Sequence, residues 1–269
     1  MRRVQAPPRV TLLLGMANTS ISSYDEIAGM YHELWADWYL PAAMPALERL
    51  LFSRLPHGAC VLDLCCGSGH VTKELVARGY QVTAVDNSAE LIAIAQRNLP
   101  GVDFRVQDAR DLQLEKRYDA VLSTFDSLNH ILELDGLRRV FAGVQRSLKP
   151  GGLFLFDMNL EEAYSADLRQ WAVDISDTSV GLVRGVFDPI SKMARTELIW
   201  FVRTGQDNLW RQHRSVVKQQ CYSQSEILLA LTEAGFRGVE AVQSRDAGVV
   251  SELGFGRVFF LAGASVQRE

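Results

Sequence analysis

The chain has 269 residues, of which 48% are hydrophobic and 22% charged, with a net charge of −4. That length supports one large or two small domains with a sizeable core. The balance excludes a global basic field for nucleic acid or an anionic membrane, and no stretch approaches the roughly 20 apolar residues that a membrane-spanning helix needs.

Residues 1–20 read as an N-terminal extension. Met1-Arg2-Arg3 followed by Val10 to Ala17 faintly mimics an export signal, but the apolar part is short and follows two prolines and Arg9; Met16 is an alternative start. From 20 to 55 the pattern is helical with aromatic punctuation. Tyr31, Trp35 and Trp38 fall at i, i+4 and i+7, one helix face, and Pro41 and Pro45 are expected to break that helix.

Between 60 and 160 strands and helices alternate, with strands expected near 61–64, 81–85, 102–106, 119–124 and 152–158. This rhythm predicts an α/β fold: a Rossmann-like, doubly wound, mostly parallel sheet whose ligands bind at the carboxyl ends of the strands. Residues 180–188, 194–203 and 209–221 change character and read as an inserted antiparallel meander. Ser223 and Glu226 then form a capping box that opens a helix stopped at Gly235, and strands near 237–243 and 256–262 complete a seven-stranded sheet. The resulting division is an extension over 1–20, a main domain over 21–160 and 221–269, and an insertion over 161–220 expected to act as a substrate lid.

The densest information lies at Val61-Leu62-Asp63-Leu64-Cys65-Cys66-Gly67-Ser68-Gly69. A short apolar strand runs into glycines, where the chain turns sharply and lets a ligand approach the backbone. A helix from His70 follows and presents free N–H groups to the loop. The next strand delivers Asp86, 19 positions after Gly67, where a carboxylate suits the two hydroxyls of a ribose. A dinucleotide site wants a third glycine, and that position holds Thr72. Asp63, in the strand before the loop, would repel a pyrophosphate and suits a cationic ligand. S-Adenosylmethionine, with a sulfonium, an ammonium, a ribose and no phosphate, fits this chemistry better than NAD.

These motifs resemble those of the class I S-adenosylmethionine-dependent methyltransferases, strongly over residues 24–160 and loosely over 220–262. Asp63, Gly67 and Gly69 match the family's first motif, with Cys65 where a glycine is usual. Asp86 with Asn87 matches the acid ending the second strand, Asp108-Ala109 the pair beside adenine, and Leu148-Lys149-Pro150-Gly151-Gly152 the turn after the core helix. Tyr24 to Tyr31 matches an N-terminal segment that folds over the cofactor in the family, with Tyr31 favoured over Tyr24. The resemblance implies S-adenosylmethionine as cofactor, with Tyr31, Asp63, Cys66, Gly67, Gly69, Asp86, Asn87, Asp108, Ala109, Thr124 and Phe125 around it.

Methyl transfer from a sulfonium is an in-line displacement that needs an aligned nucleophile and a dry pocket more than a dedicated acid or base. Ser123 to His130 start at the carboxyl end of the fourth strand and should line the transfer centre. Asn129 and His130 are the candidate catalytic residues, His130 as a base for a hydroxyl or ammonium acceptor or else as a helix-opening residue satisfied by backbone. The Asn/Asp-Pro-Pro-Tyr signature of DNA and protein amide methyltransferases is replaced by Phe125-Asp126-Ser127-Leu128, which points to a small-molecule acceptor, methylated on N or O. Arg184, Arg195, Arg203, Arg211, His213 and Arg214 on the meander line the lid or form its solvated face. Cys60, Cys65, Cys66 and Cys221 lack metal-binding spacing and read as reduced thiols of a cytoplasmic protein. A catalytically silent adenosine-ligand module and an NAD(P)-dependent oxidoreductase are the rival readings.

Overall fold

The computed structural model describes residues 22–32, 36–114, 117–165, 171–204 and 209–265. The expected extension over 1–20 and Trp35 lie outside these residues, as does the side chain of Trp38.

A short N-terminal segment carries a 3-10 turn at Asp25–Ile27 and one helical turn, α1 (Ala28–Met30), before α2 (Ala36–Leu50). Pro41 and Pro45 lie inside α2 and do not end it. Each removes a backbone donor. Burial of Tyr39, Ala43, Ala46, Leu47 and Leu50 in one cluster with strand residues such as Val61 and Leu122 outweighs that loss.

The main sheet is built from β1 (Cys60–Leu64), β2 (Gln81–Asp86), β3 (Asp103–Val106), β4 (Tyr118–Ser123), β5 (Leu148–Asn159), β10 (Arg237–Gln243) and β11 (Arg257–Gly263). Its spatial order is β10-β11-β5-β4-β1-β2-β3. β11 runs antiparallel to both β5 and β10, and the remaining pairs are parallel. Between the strands lie α3 (His70–Ala77), α4 (Ala89–Asn98), α5 (Leu134–Ser147) and α7 (Gln224–Glu233), the last opened by the Ser223–Glu226 capping box. Alternation along β5 shows how both faces are covered. Phe154 and Phe156 join Phe141 of α5 and Leu231 of α7, whereas Leu155 joins Leu47 of α2 and Leu75 of α3.

A second, four-stranded antiparallel sheet follows the short α6 (Glu161–Ser165), in the order β6 (Ala172–Ile175), β7 (Ser179–Asp188), β8 (Met193–Thr204) and β9 (Leu209–Gln220). The three long strands match the extended segments read from the sequence. β6 is an addition to that reading: it is four residues long and exposed throughout, so it shows no burial alternation.

Candidate functional site

The chain turns sharply at the carboxyl ends of β1 and β4, and the site begins there. After β1, Cys65 (φ 60°), Gly67 (φ 54°) and Gly69 (φ 85°) all take left-handed backbone, and Gly69 caps α3. The turn is tied to the next strand. Asp86 Oδ2 accepts from the Gly67 N–H at 2.9 Å and Oδ1 from the Ser88 N–H at 2.9 Å. Burial pushes the Asp86 carboxyl up, partly offset by these donors.

After β4, Phe125 (φ 63°) and Asp126 (φ 47°) are consecutive non-glycine residues in the left-handed region. Such strain persists only where its surroundings enforce it, and here a buried ionic cluster does so. Arg257 donates to Asp126 Oδ1 at 2.6 Å and to Asp157 Oδ2. Asp157 also accepts from the Asp126 N–H at 3.2 Å and from the Tyr39 hydroxyl at 3.1 Å. The Phe125 ring stacks on Tyr39 with centroids 4.3 Å apart.

These two turns open on one cavity of about 1430 Å³, which residues of the second sheet and the N-terminal segment also line. Tyr31, Gly67, Asp86, Asn87, Asp108 and Ala109 line one part of it, and Phe125 and His130 another. Asp108 is clamped by Arg110, whose Nε lies 2.9 Å from Oδ1 and whose terminal nitrogen lies 2.5 Å from Oδ2, and this holds the carboxyl below its ordinary value. The Asn87 side-chain oxygen accepts from Ser22 at 3.0 Å.

Asp63, Cys66 and Thr124 do not line this cavity. They border a second one of about 20 Å³, which also touches Tyr31 and Phe125. Asp63 is 1% exposed and accepts from the Thr72 hydroxyl of α3 at 2.6 Å. Burial, opposed by that bond, pushes its carboxyl up to about 7. Gly69 packs toward α4 instead, where a Cβ on the glycine would sit 3.2 Å from the Ala95 methyl. Asn129 is fully buried and lines neither cavity. Its amide donates to the Asn159 and Gln220 carbonyls at 3.1 and 2.9 Å, and its oxygen accepts from the Asn159 N–H at 3.0 Å, joining the end of β5 to the end of β9.

His130 faces the main cavity. Its Nδ1 lies 2.9 Å from the Lys218 carbonyl, which only accepts, so Nδ1 carries the proton. Nε2 is then the lone-pair nitrogen, and the Tyr24 hydroxyl lies 3.0 Å from it. Burial pushes His130 below its ordinary value and Tyr24 above its own, so the imidazole is neutral and the phenol keeps its proton near neutral pH. Gln219 bridges His130 and Asp126, its amide nitrogen 3.3 Å from Nε2 and 2.5 Å from Asp126 Oδ2.

Gln219 and Arg257 are cavity residues that sequence reasoning missed, whereas Asp126 belongs to the stretch expected to line the transfer centre without being singled out in it. Arg257 stands 131 positions from Asp126, and no local pattern links them. Of the six basic meander residues, Arg195 lines the cavity, whereas Arg184 pairs with Glu197 at 2.5 Å and lies over the Trp171 ring. Among the described residues no three His, Cys, Asp or Glu side chains cluster as a metal site, all four cysteines are free, and no helix is long and apolar enough to cross a membrane.

Residues 61–152 match the model of a methyltransferase domain. A putative methyltransferase of Geobacillus sp. (strain WCH70) is 30% identical over 249 residues, spanning 89% of this chain and 99% of that protein. A ubiquinone biosynthesis O-methyltransferase of Xanthomonas axonopodis pv. citri (strain 306) is 36% identical over 155 residues, which are 53% of this chain and 63% of the relative. The structure of S-adenosylmethionine-bound CalS10, an amino pentose methyltransferase from Micromonospora echinaspora, superposes with a TM-score of 0.69 at 22% identity, covering 93% of this chain and 100% of that one. The chain belongs to the class I S-adenosylmethionine-dependent methyltransferases, and S-adenosylmethionine is its cofactor.

Proposed function

We propose, on the premise of that membership, that the protein methylates a small molecule, with an amine nitrogen as the favoured acceptor. The observation that carries this reading is the convergence of Asp126, His130 and Tyr24 on the cavity that Gly67 and Asp86 also line. When bound, the cofactor supplies an electrophilic methyl group on a sulfonium.

The donor set fits such a group. Asp86 keeps a lone pair on each oxygen after serving Gly67 and Ser88, which suits two ribose hydroxyls. Asp108, Ala109 and Asn87 are assigned to the adenine end, Asp108 retaining acceptor capacity beyond its Arg110 clamp. Tyr31 and Phe125, with centroids 6.1 Å apart, offer aromatic faces suited to a sulfonium. Asp63, Cys66, Gly69 and Thr124 support the two turns from behind.

On the acceptor side, Asp126 and Asp157 share one guanidinium, so two carboxyl groups face a single fixed cation. That imbalance favours an ammonium over an anion at Asp126. The Tyr24 hydroxyl donates to His130 Nε2, so the proton that an ammonium must lose before its nitrogen can attack passes to the Tyr24 oxygen as the phenol proton moves to Nε2. Asn129 is assigned a positioning role, holding β5 against β9. Residues 161–220 act as the lid that keeps the transfer centre dry. A hydroxyl acceptor is the second reading, favoured by the O-methyltransferase relative and served by the same Tyr24–His130 pair.

The test is turnover of methyl-labelled S-adenosylmethionine against matched panels of amines and alcohols. Label in the amines supports the reading. Label confined to the alcohols replaces it with the second, and label in neither panel rejects both.

A further inference from the structure

We infer that the acceptor carries an extended apolar, ring-bearing body rather than a nucleoside diphosphate, and that this body seats in an arm of the cavity ending at Tyr164 and Phe187. This rests on the placing of the acceptor's reactive atom at Asp126 and His130.

The register of the second sheet sets the geometry. Gln219 of β9 pairs with Ala194 of β8, which pairs with Phe187 of β7, and all three line the cavity. Gln219 contacts Asp126 and His130. One cross-strand row therefore leads from the polar centre to Phe187 over two strand spacings, about 10 Å. Along the row the surface changes from amide to methyl to phenyl.

The far end is built to take an apolar ring. Phe187 stacks on Tyr164 with centroids 5.5 Å apart and an interplanar angle of 18°. Ala194 and Cys221 are buried with them, and Pro189 also lines the cavity. The Tyr164 side chain is buried, with Asn159, which also lines the cavity, beside its hydroxyl. A few polar atoms at the edge of an apolar pocket are what fixes the orientation of a ligand there.

A diphosphate would need fixed cations, and the arginines around the polar centre are otherwise engaged. Arg110 is held by Asp108, and Arg257 by Asp126 and Asp157. Lys192, near the arm, is paired with Glu161 at 2.8 Å, which adds an acid to the rim. Of the other cations lining the cavity, Arg139 lies 3.8 Å from Asp111 and Arg195 acts on Asp188, which leaves Lys218, the register partner of Arg195, as a single cation without an acid partner among the described residues. The cavity volume also exceeds the usual 300–1,000 Å³ of a single-ligand pocket, leaving room for a long acceptor beside the cofactor.

The experiment uses the full chain saturated with S-adenosylhomocysteine and two probes: N-phenylnaphthylamine, a neutral aromatic whose fluorescence rises in apolar surroundings, and thymidine diphosphate. The naphthylamine should bind, and millimolar thymidine diphosphate should not displace it. Ala194→Trp, which fills the row, should weaken its binding by about tenfold or more while affinity for S-adenosylhomocysteine stays within about twofold. Should that variant not melt cooperatively, Phe187→Ala carries the test, with weaker probe binding expected. Probe binding unmoved by the folded variant, absence of probe binding, or displacement by thymidine diphosphate overturns the inference. The probe reports occupancy and not turnover, so these results are distinct from failure of the amine panel.

Discussion

The ring of Tyr31 lies against Gly67 so closely that a Cβ on the glycine would sit 2.9 Å from Tyr31 Cε1. The aromatic segment is thus fitted to a loop without a side chain, and the two form one wall of the cavity. Gly67→Ala should weaken S-adenosylmethionine binding, both through its left-handed backbone, costing about 1 kcal/mol, and through displacement of Tyr31. The two parts separate in a double-mutant cycle with Tyr31→Ala, which should show a coupling of about 0.5 kcal/mol or more by calorimetry. Strict additivity would mean that the ring and the loop act independently on the ligand.

Asp86→Ala removes a carboxylate that serves the Gly67 loop as well as the ribose assigned to it. Cofactor affinity should fall by roughly 1.5–3 kcal/mol, the range for hydrogen bonds to a charged group. An unchanged dissociation constant in a folded variant would contradict the ribose assignment.

His130 titrates below the ordinary 6.5 because burial disfavours the imidazolium. The proposed base is therefore in its working form at neutral pH, and kcat/KM should fall only below that ordinary value, as Nε2 takes up a proton. His130→Gln should abolish this acid limb and lower kcat by about 10²-fold, the lower end for a lost general base. A limb that persists in the variant belongs to another group.

The strand rhythm, the glycine loop and the acid at the end of β2 are legible in the sequence because each is local: a hydrophobic period, a glycine after it, a charge where a strand stops. The helix across Pro41 and Pro45 is not, since what sustains it is burial against strands far away in sequence. The position of Asp126 at the transfer centre is legible from the end of the fourth strand, but its role is not, for a similar reason. Its left-handed backbone and its tie to Arg257 are tertiary facts, while in the sequence it is one acid in a loop. Asn129 draws notice from its place beside His130, yet the fold turns its amide onto the backbone ends of β5 and β9.

Asp63 makes a separate test, on stability. Its carboxyl is pushed up to about 7 in the folded chain from an ordinary 3.8. Between those values the folded state keeps a proton that the unfolded state has lost, so this group's contribution is present at low pH and declines as pH rises through the window. Asp63→Asn keeps an oxygen for Thr72 and removes the titration. Without cofactor, the Tm of the variant relative to the parent should rise between about pH 4 and pH 7. Parallel Tm curves would show that Asp63 does not change its proton affinity on folding.

The central claim is that one cavity holds the cofactor at Asp86 and a small-molecule amine at Asp126 and His130. The most direct measurement is a crystal structure of the complex with S-adenosylhomocysteine and the acceptor that turns over best. The ribose hydroxyls should lie on Asp86, the acceptor nitrogen beside Asp126 facing the Tyr24–His130 pair, and the acceptor body along Gln219, Ala194 and Phe187. An acceptor bound outside this cavity, or one presenting its reactive atom away from Asp126 and His130, would contradict it.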